Sequence, residues 1–119
     1  MDFELSDDQQ SLQEGVRKLC EGRFPIDVVR AGFDQGRWAE LADAGVFALR
    51  LPEAEGGVGL GLAEAVLVFE ELGRALVPGP VVGTHLAAGV VDAGDGVVTV
   101  VERSSPVIDH LRVADAVCV

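Results

Sequence analysis

Few residues in this chain are of a type and spacing that could do chemistry. Thr84 and His85 are the best placed, adjacent polar side chains inside the apolar run at residues 80–91. A polar group in such a run needs a partner or a cavity. The pair therefore either lines a ligand pocket or is a satisfied part of the core. Glu70 and Glu71 are paired carboxylates, but neighbours on a helix point about 100° apart. They cannot act together on one bond, so they read as surface charge. His110 stands beside Asp109 and Arg112 near a turn, a solvated polar cluster. No His, Cys and carboxylate grouping has metal-ligand spacing, and no nucleophile elbow is present. From the residues alone, neither a catalytic residue nor a metal site is expected.

Residues 49–62, Leu-Arg-Leu-Pro-Glu-Ala-Glu-Gly-Gly-Val-Gly-Leu-Gly-Leu, invite a second reading as a phosphate cradle. The glycines at 56, 57, 59 and 61 do not satisfy Gly-x-Gly-x-x-Gly, because Leu62 or Glu64 stands where the third glycine belongs. The Gly-Lys-Ser/Thr of a P-loop is also missing. Pro52 and the glycines cannot sustain a helix. The stretch reads as a shaped loop joining two groups of helices, with no cofactor-binding residue in it.

The elements that would position these groups are mostly helical. Ser6-Asp7-Asp8-Gln9 has the form of a capping box. Leu12, Val16, Leu19 and Cys20 follow at helical spacing, which predicts a first helix over residues 6–22. Pro25 suits a first helical position, with Ile26, Val29 and Phe33 on one apolar face. A third short helix carries Trp38, Leu41 and Ala42 and stops at Gly45, a left-handed cap. Residues 46–51 then run extended into Pro52. After the loop, residues 62–76 form a helix whose buried face is Ala63, Val66, Leu67, Phe69, Leu72 and Leu76. Pro80 opens a fifth helix over residues 81–91, apolar nearly all round and therefore central. From Gly94-Asp95-Gly96 the texture changes. The β-branched run at residues 97–101 predicts a strand, residues 102–106 a turn, and residues 113–119 a second strand.

Two domains are expected: a helical one at residues 1–94, and the start of an incomplete β-domain at residues 95–119. The chain closes on the apolar Ala-Val-Cys-Val, and two strands make no independent sheet. The expectation is of a truncated chain. With 20 acidic against 9 basic residues and a net charge of −11, phosphate backbones and anionic lipid would repel it, which disfavours nucleic-acid and membrane-surface roles. The longest apolar stretch is too short to span a bilayer. Met1-Asp2-Phe3-Glu4 is acidic where a secretory n-region would be basic. A cytoplasmic protein with two reduced thiols is the expectation.

The spaced motifs resemble the N-terminal part of a flavin-dependent acyl-CoA dehydrogenase. Phe3-x-Leu5-x-x-x-Gln9 looks like that family's start. Trp38-x-x-Leu41-Ala42-x-x-Gly45, then Leu51-Pro52-Glu53-x-x-Gly56-Gly57-x-Gly59, is similar to its early signature, and Glu70-Glu71-Leu72-Gly73-Arg74 continues it. Ala114-Asp115 resembles the approach to a β-domain strand. The resemblance implies a mainly α fold: an N-terminal helical-bundle domain followed by the first strands of a β-domain, with a C-terminal bundle beyond. It implies an enzyme that removes the α-proton of an acyl-CoA with a glutamate while the β-hydride passes to FAD, leaving the trans-2-enoyl-CoA. The base and most FAD contacts would belong to later domains.

Within this chain the resemblance places Val81, Val82, Thr84 and His85 in the wall of the substrate acyl pocket. Partners implied are the acyl-CoA, an electron-transfer acceptor, and other acyl-CoA dehydrogenase subunits in a homo- or hetero-oligomer. The pattern departs from the family at Glu55, where an aromatic is usual. It also lacks a Thr-Glu-Pro-Gly-x-Gly-Ser-type segment that touches the flavin. Together with Ala75-Leu76-Val77-Pro78-Gly79-Pro80, this looks like actinobacterial members. Some of those pair unlike subunits on steroid-derived CoA thioesters, with one subunit catalytically incomplete. The alternatives are therefore such a non-catalytic partner subunit, or a helical interaction module unrelated to flavin chemistry.

Overall fold

The structure is a computed structural model, and it describes residues 4–91, 96–105 and 107–119. The boundary expected at residues 94 and 95, the N-terminal Phe3 of the first motif and the end of the expected turn at Pro106 lie outside the described residues. Among the described residues, five α-helices precede two short strands: α1 (Asp7–Arg23), α2 (Ile26–Arg30), α3 (Gln35–Asp43), α4 (Leu62–Arg74), α5 (Val81–Ala87), β1 (Val98–Val100) and β2 (Ala116–Cys118). The protein is mainly α, as the pattern of periodic segments implies.

Local chemistry explains most of the boundaries. Ser6 caps α1 through a reciprocal capping box with Gln9, at 3.1 and 3.0 Å, with Asp7 and Asp8 in the positive first turn. Asp34 caps α3 by accepting from the Arg37 amide at 2.8 Å. That helix ends where Gly45 turns left-handed, at φ 86°. Trp38 lies at the centre of the molecule, 1% exposed, its ring stacked on Phe47 at 4.4 Å and tilted against Phe33 at 5.5 Å. Leu41, Val68, Leu72 and Val97 close round it in the same core. The first strand segment thus shares its core with the helices.

Several expectations change. Residues 46–51 are not extended: Val46–Ala48 is a 3₁₀ turn, because the left-handed Gly45 carbonyl accepts from the Ala48 amide at 3.0 Å. That geometry buries Val46, Phe47 and Leu49 together, which an alternating strand could not do. Ile26 is exposed, and Phe33 lies past the end of α2. In α4 the buried face is Ala65, Leu67, Val68, Glu71 and Leu72, whereas Ala63, Val66 and Leu76 face outward. Leu76 is beyond the helix, at φ 57°. Finally, α5 stops at Ala87, where Ala88 turns to ψ 130° and Gly89 to φ 81°, and its Val82 and Leu86 face outward. It is central on one side only.

The burial of Glu71 overturns its reading as surface charge. α1 packs along α4, and Arg17 of α1 grips the Glu71 carboxylate with two hydrogen bonds, Nε to Oε2 at 3.1 Å and Nη2 to Oε1 at 2.7 Å. Such a bidentate fork is the strong geometry for this pair. It holds the Glu71 carboxyl below the usual carboxylate range and the guanidinium above its own.

The strands are parallel, with Val98 opposite Ala116 and Val100 opposite Cys118. Asp115 locks the start of the ladder from both sides. Its amide donates to the Val97 carbonyl at 2.7 Å, and its carboxylate accepts from the Val97 amide at 2.8 Å. Ala114-Asp115 is therefore the approach to β2, as the sequence implied.

Candidate functional site

Residues 46–61 form a self-braced platform. The glycine loop folds back on the segment before it: the Val58 amide donates to Ala48, that of Gly59 to Leu51 and that of Leu60 to Leu49, at 2.8–3.0 Å. Gly57 lies flat on Leu51, and a Cβ there would overlap the Leu51 carbonyl and Cβ. Gly56 and Gly59 take left-handed φ values of 81° and 72°. The amides of Gly57, Val58, Gly59 and Leu60 are thereby spent on the protein's own carbonyls, and none of these four is left to cradle a phosphate. The helix that follows carries Glu64 in its first turn, a charge unsuited to a phosphate at that N-terminus. The loop does not fit a dinucleotide, and it acts as a brace for Leu49, Arg50 and Leu51.

Across from the platform, α5 lies along the open edge of β1. The amides and carbonyls of a strand alternate sides. Val97 and Val101 bond toward β2, which leaves the Val98 amide and carbonyl facing away from it. The Thr84 hydroxyl meets both. It accepts from the Val98 amide at 3.0 Å and donates to the Val98 carbonyl at 2.9 Å. One threonine thus replaces a missing neighbouring strand. Gly83 permits the approach, since a Cβ there would stand 3.2 Å from the Val100 amide nitrogen.

His85 occupies the other side of the same turn. It is 8% exposed, with its ring edge against Phe69 at a centroid distance of 4.9 Å. Its Nδ1 is buried and has no hydrogen-bond partner. Burial lowers its pKa, the positive charge of Arg50 lowers it further, and a hydrogen bond to the Val46 backbone offsets part of this. The imidazole is consequently neutral at pH 7.

Three cavities meet these residues. The first, about 490 Å³, lies between the platform and the end of α5, and includes Leu51, Glu55, Thr84, Ala88 and Val98 in its wall. The second, about 230 Å³, is a notch between Phe47, Arg50, Leu51, His85, Leu86 and Ala88. The third is an open groove of about 480 Å³ between α4 and α5, walled by Leu62, Val66, Phe69, Val82, His85 and Leu86, with Arg50 and Glu70 as its charges. Of the four residues expected together, Val82 and His85 share the groove. Thr84 lines the first cavity, its hydroxyl engaged by β1, and Val81 packs against the core. Arg50, Phe69 and Leu86 join the site without having been singled out. Arg50 carried a legible signal, as the one charge inside the apolar run 46–51.

Other polar features lie elsewhere. Cys20 is buried beside Glu71, and burial pushes its thiol pKa up. Among the described residues, no group of three His, Cys, Asp or Glu side chains could hold a metal ion. No helix among them is long and apolar enough to cross a membrane.

Comparison with known proteins gives a consistent result. Residues 6–95 match the family described as acyl-CoA dehydrogenase, N-terminal domain. The chain is 42% identical over 90 residues to acyl-CoA dehydrogenase IpdE2 of Mycolicibacterium smegmatis, covering 70% of this chain and 29% of that one. It is 42% identical over 88 residues to IpdE2 of Mycobacterium tuberculosis, covering 68% and 28%. With benzylmalonyl-CoA dehydrogenase of Aromatoleum aromaticum the identity is 37% over 79 residues, covering 62% and 21%. The chain therefore spans less than a third of the length of these relatives. Among solved structures, a chain from the electron transferring flavoprotein study of Acidaminococcus fermentans superposes with a TM-score of 0.66 at 21% identity, covering 88% of this chain and 34% of that one. That likeness concerns the fold alone.

Proposed function

This chain belongs to the acyl-CoA dehydrogenase family, and from that premise we propose that it is the N-terminal portion of an FAD-dependent enzyme dehydrogenating an acyl-CoA thioester, fatty or steroid-derived, to its trans-2-enoyl-CoA. Residues 1–94 supply the helical domain and residues 95–119 open a β-domain. The reading is carried by the apolar groove between α4 and α5, within the matched residues, which has the buried His85 in its wall.

In this reading Val81, Val82, Thr84 and His85 form one wall of the acyl site. Val82 and His85 touch the ligand. Thr84 holds α5 in place through Val98, and Val81 anchors the helix to the core. The wall excludes water and orients the acyl chain, while the proton-abstracting carboxylate comes from residues beyond this chain. FAD, when bound, supplies the acceptor for the hydride. The braced glycine loop does not fit it, so its holding groups are placed elsewhere in the complete protein. An electron-transfer acceptor and further dehydrogenase subunits are the expected partners, in the cytoplasm.

The test is the complete protein, purified and mixed with a panel of acyl-CoA thioesters. Bleaching of a bound flavin with formation of enoyl-CoA is the expected result. A complete protein that binds acyl-CoA yet holds no flavin would transfer the assignment to a non-catalytic partner subunit. Binding neither would remove the acyl-CoA reading.

A further inference from the structure

Gly83 stands in the middle of α5, where glycine is a poorer helix former than alanine. The other helical glycines among the described residues show no packing reason for their small size. Gly15, Gly22 and Gly73 face open space, and Gly36 meets only the Asp34 side chain. Gly83 differs. A Cβ there would stand 3.2 Å from the Val100 amide nitrogen, 3.3 Å from the Val98 carbonyl oxygen and 3.4 Å from Val100 Cγ2. Favourable non-bonded contacts lie at about 3.5–4.0 Å. The backbone of Gly83 is ordinary helix, so close approach to β1, and not dihedral freedom, is what its missing side chain serves.

The two sides of α5 have different neighbours. With about 100° between successive residues, Gly83, Thr84 and Ala87 fall on one side of the helix, and Val82, His85 and Leu86 on the other. The first side is seated on β1 through Gly83 and the Thr84 hydroxyl. The second walls the α4–α5 groove. The groove therefore lies opposite the seat. The seat is the stiffer partner, since Val97 and Val98 are buried and Asp115 bonds both backbone groups of Val97. On the groove side Val82 and Leu86 are exposed, and the His85 ring edge rests on Phe69. A side chain added at position 83 is relieved by moving α5 off β1, which carries Val82 and Leu86 toward the α4 wall at Leu62 and Val66.

We propose that Gly83 is a specificity-determining position: by seating α5 directly on the β1 backbone it sets the width of the groove, and so admits acyl groups that carry a branch or a ring. It is a positioning residue, which touches no ligand and acts through Val82 and Leu86. The assignment rests on the acyl-CoA reading above and adds what fixes the distance between the walls. Alanine at position 83 moves the helix by a few tenths of an ångström, the difference between 3.2 Å and an ordinary contact. Valine, with two more methyl groups, moves it further. A straight chain still fits the narrowed groove, whereas a branched or cyclic group meets both walls.

The experiment uses the complete protein and thioesters paired by carbon number: hexanoyl- with 4-methylpentanoyl-CoA, and octanoyl- with 3-cyclopentylpropanoyl-CoA. Equilibrium affinity is measured for each, in the protein and in its Gly83→Ala, Gly83→Val, Val66→Phe and Gly83→Ala/Val66→Ala variants. The unsubstituted protein should bind at least one broad member as well as its straight match. Gly83→Ala should shift that ratio toward the straight chain by about threefold, and Gly83→Val by about tenfold or more, the scale of one methylene misfitted in an apolar pocket. Val66→Phe, at an exposed residue on the facing wall, should give the same shift without touching the seat. Val66→Ala should return the Gly83→Ala variant toward the original ratio. Alanine's better helix propensity offsets part of its steric cost, and an unfolded fraction weakens both members alike and cancels in the ratio. A ratio unchanged in both Gly83 variants overturns the width assignment and leaves the acyl-CoA reading intact. So does an equal weakening of both members, a shift that Val66→Phe does not reproduce, or one that Val66→Ala does not relieve. Exclusion of every broad member by the unsubstituted protein also overturns it. Binding of no acyl-CoA overturns both readings.

Discussion

Replacing Thr84 with valine should destabilise the protein out of proportion to the change in shape. Thr84 is 6% exposed and Val98 2%, and the only atoms altered are a hydroxyl for a methyl of similar size. The valine leaves two buried backbone groups, the Val98 amide and carbonyl, without the partner they have at 3.0 and 2.9 Å. Each orphaned group costs about 1–3 kcal/mol. Some of that is recovered by the apolar contact of the new methyl, so a net loss of about 3 kcal/mol is expected. With a urea m-value of about 1.5 kcal/mol/M, the unfolding midpoint falls by about 2 M. Thr84→Ser is the matched control. It keeps the hydroxyl and gives up one buried methyl, about 1 kcal/mol, for a midpoint shift of less than about 1 M. Urea unfolding followed by circular dichroism gives both numbers, and amide hydrogen exchange at Val98 gives the local one, which should accelerate in the valine variant alone. A valine variant as stable as the serine one would refute the clamp. If it were equally stable and lost acyl-CoA affinity, the Thr84 hydroxyl would belong to the ligand instead.

Gly57→Ala drives a Cβ into the Leu51 backbone. Because a carbonyl on a braced segment cannot swing aside, a loss of about 3 kcal/mol or more is expected in the same unfolding assay. The Glu71 carboxyl is depressed chiefly by its hydrogen bonds from Arg17. The unfolded chain therefore takes up protons first, and the pair's stabilisation is present above the ordinary carboxylate range and lost as pH falls through the depressed folded value. Thermal melts should show wild type above Glu71→Gln at pH 7, with the gap shrinking toward pH 3. Glu70→Gln, on the exposed neighbour, should stay within about 0.5 kcal/mol of wild type. The 119-residue chain by itself should bind no FAD saturably, read by flavin fluorescence quenching; a saturable isotherm would contradict the placement of the flavin contacts in later parts of the protein.

The sequence by itself determined where α1, α2 and α5 begin and where α3 ends, though not where α2, α4 and α5 stop. A capping box at Ser6, prolines at 25 and 80 and a left-handed glycine at 45 are local devices, and local energetics act wherever the chain later packs. The same holds for the glycine loop, whose residues exclude a continuous α-helix and leave only a short 3₁₀ turn at Glu53–Glu55. Its spaced motifs also sufficed to point to the family that the comparison then showed.

What only the tertiary structure decided is which side of each element faces inward, and what each polar group does there. α4 is apolar on several sides at once, so its period does not choose between Val66 and Val68. The Arg17 fork chose by drawing Glu71 into the α1 contact. Thr84 and His85 are neighbours in sequence, yet one serves a strand edge and the other a cavity. Helical rotation sends them apart, and only the position of β1 says which is satisfied. Arg50 acquires its place beside His85 because a loop of glycines folds back to hold it. That contact spans residues distant in sequence, and no pattern of periods encodes it.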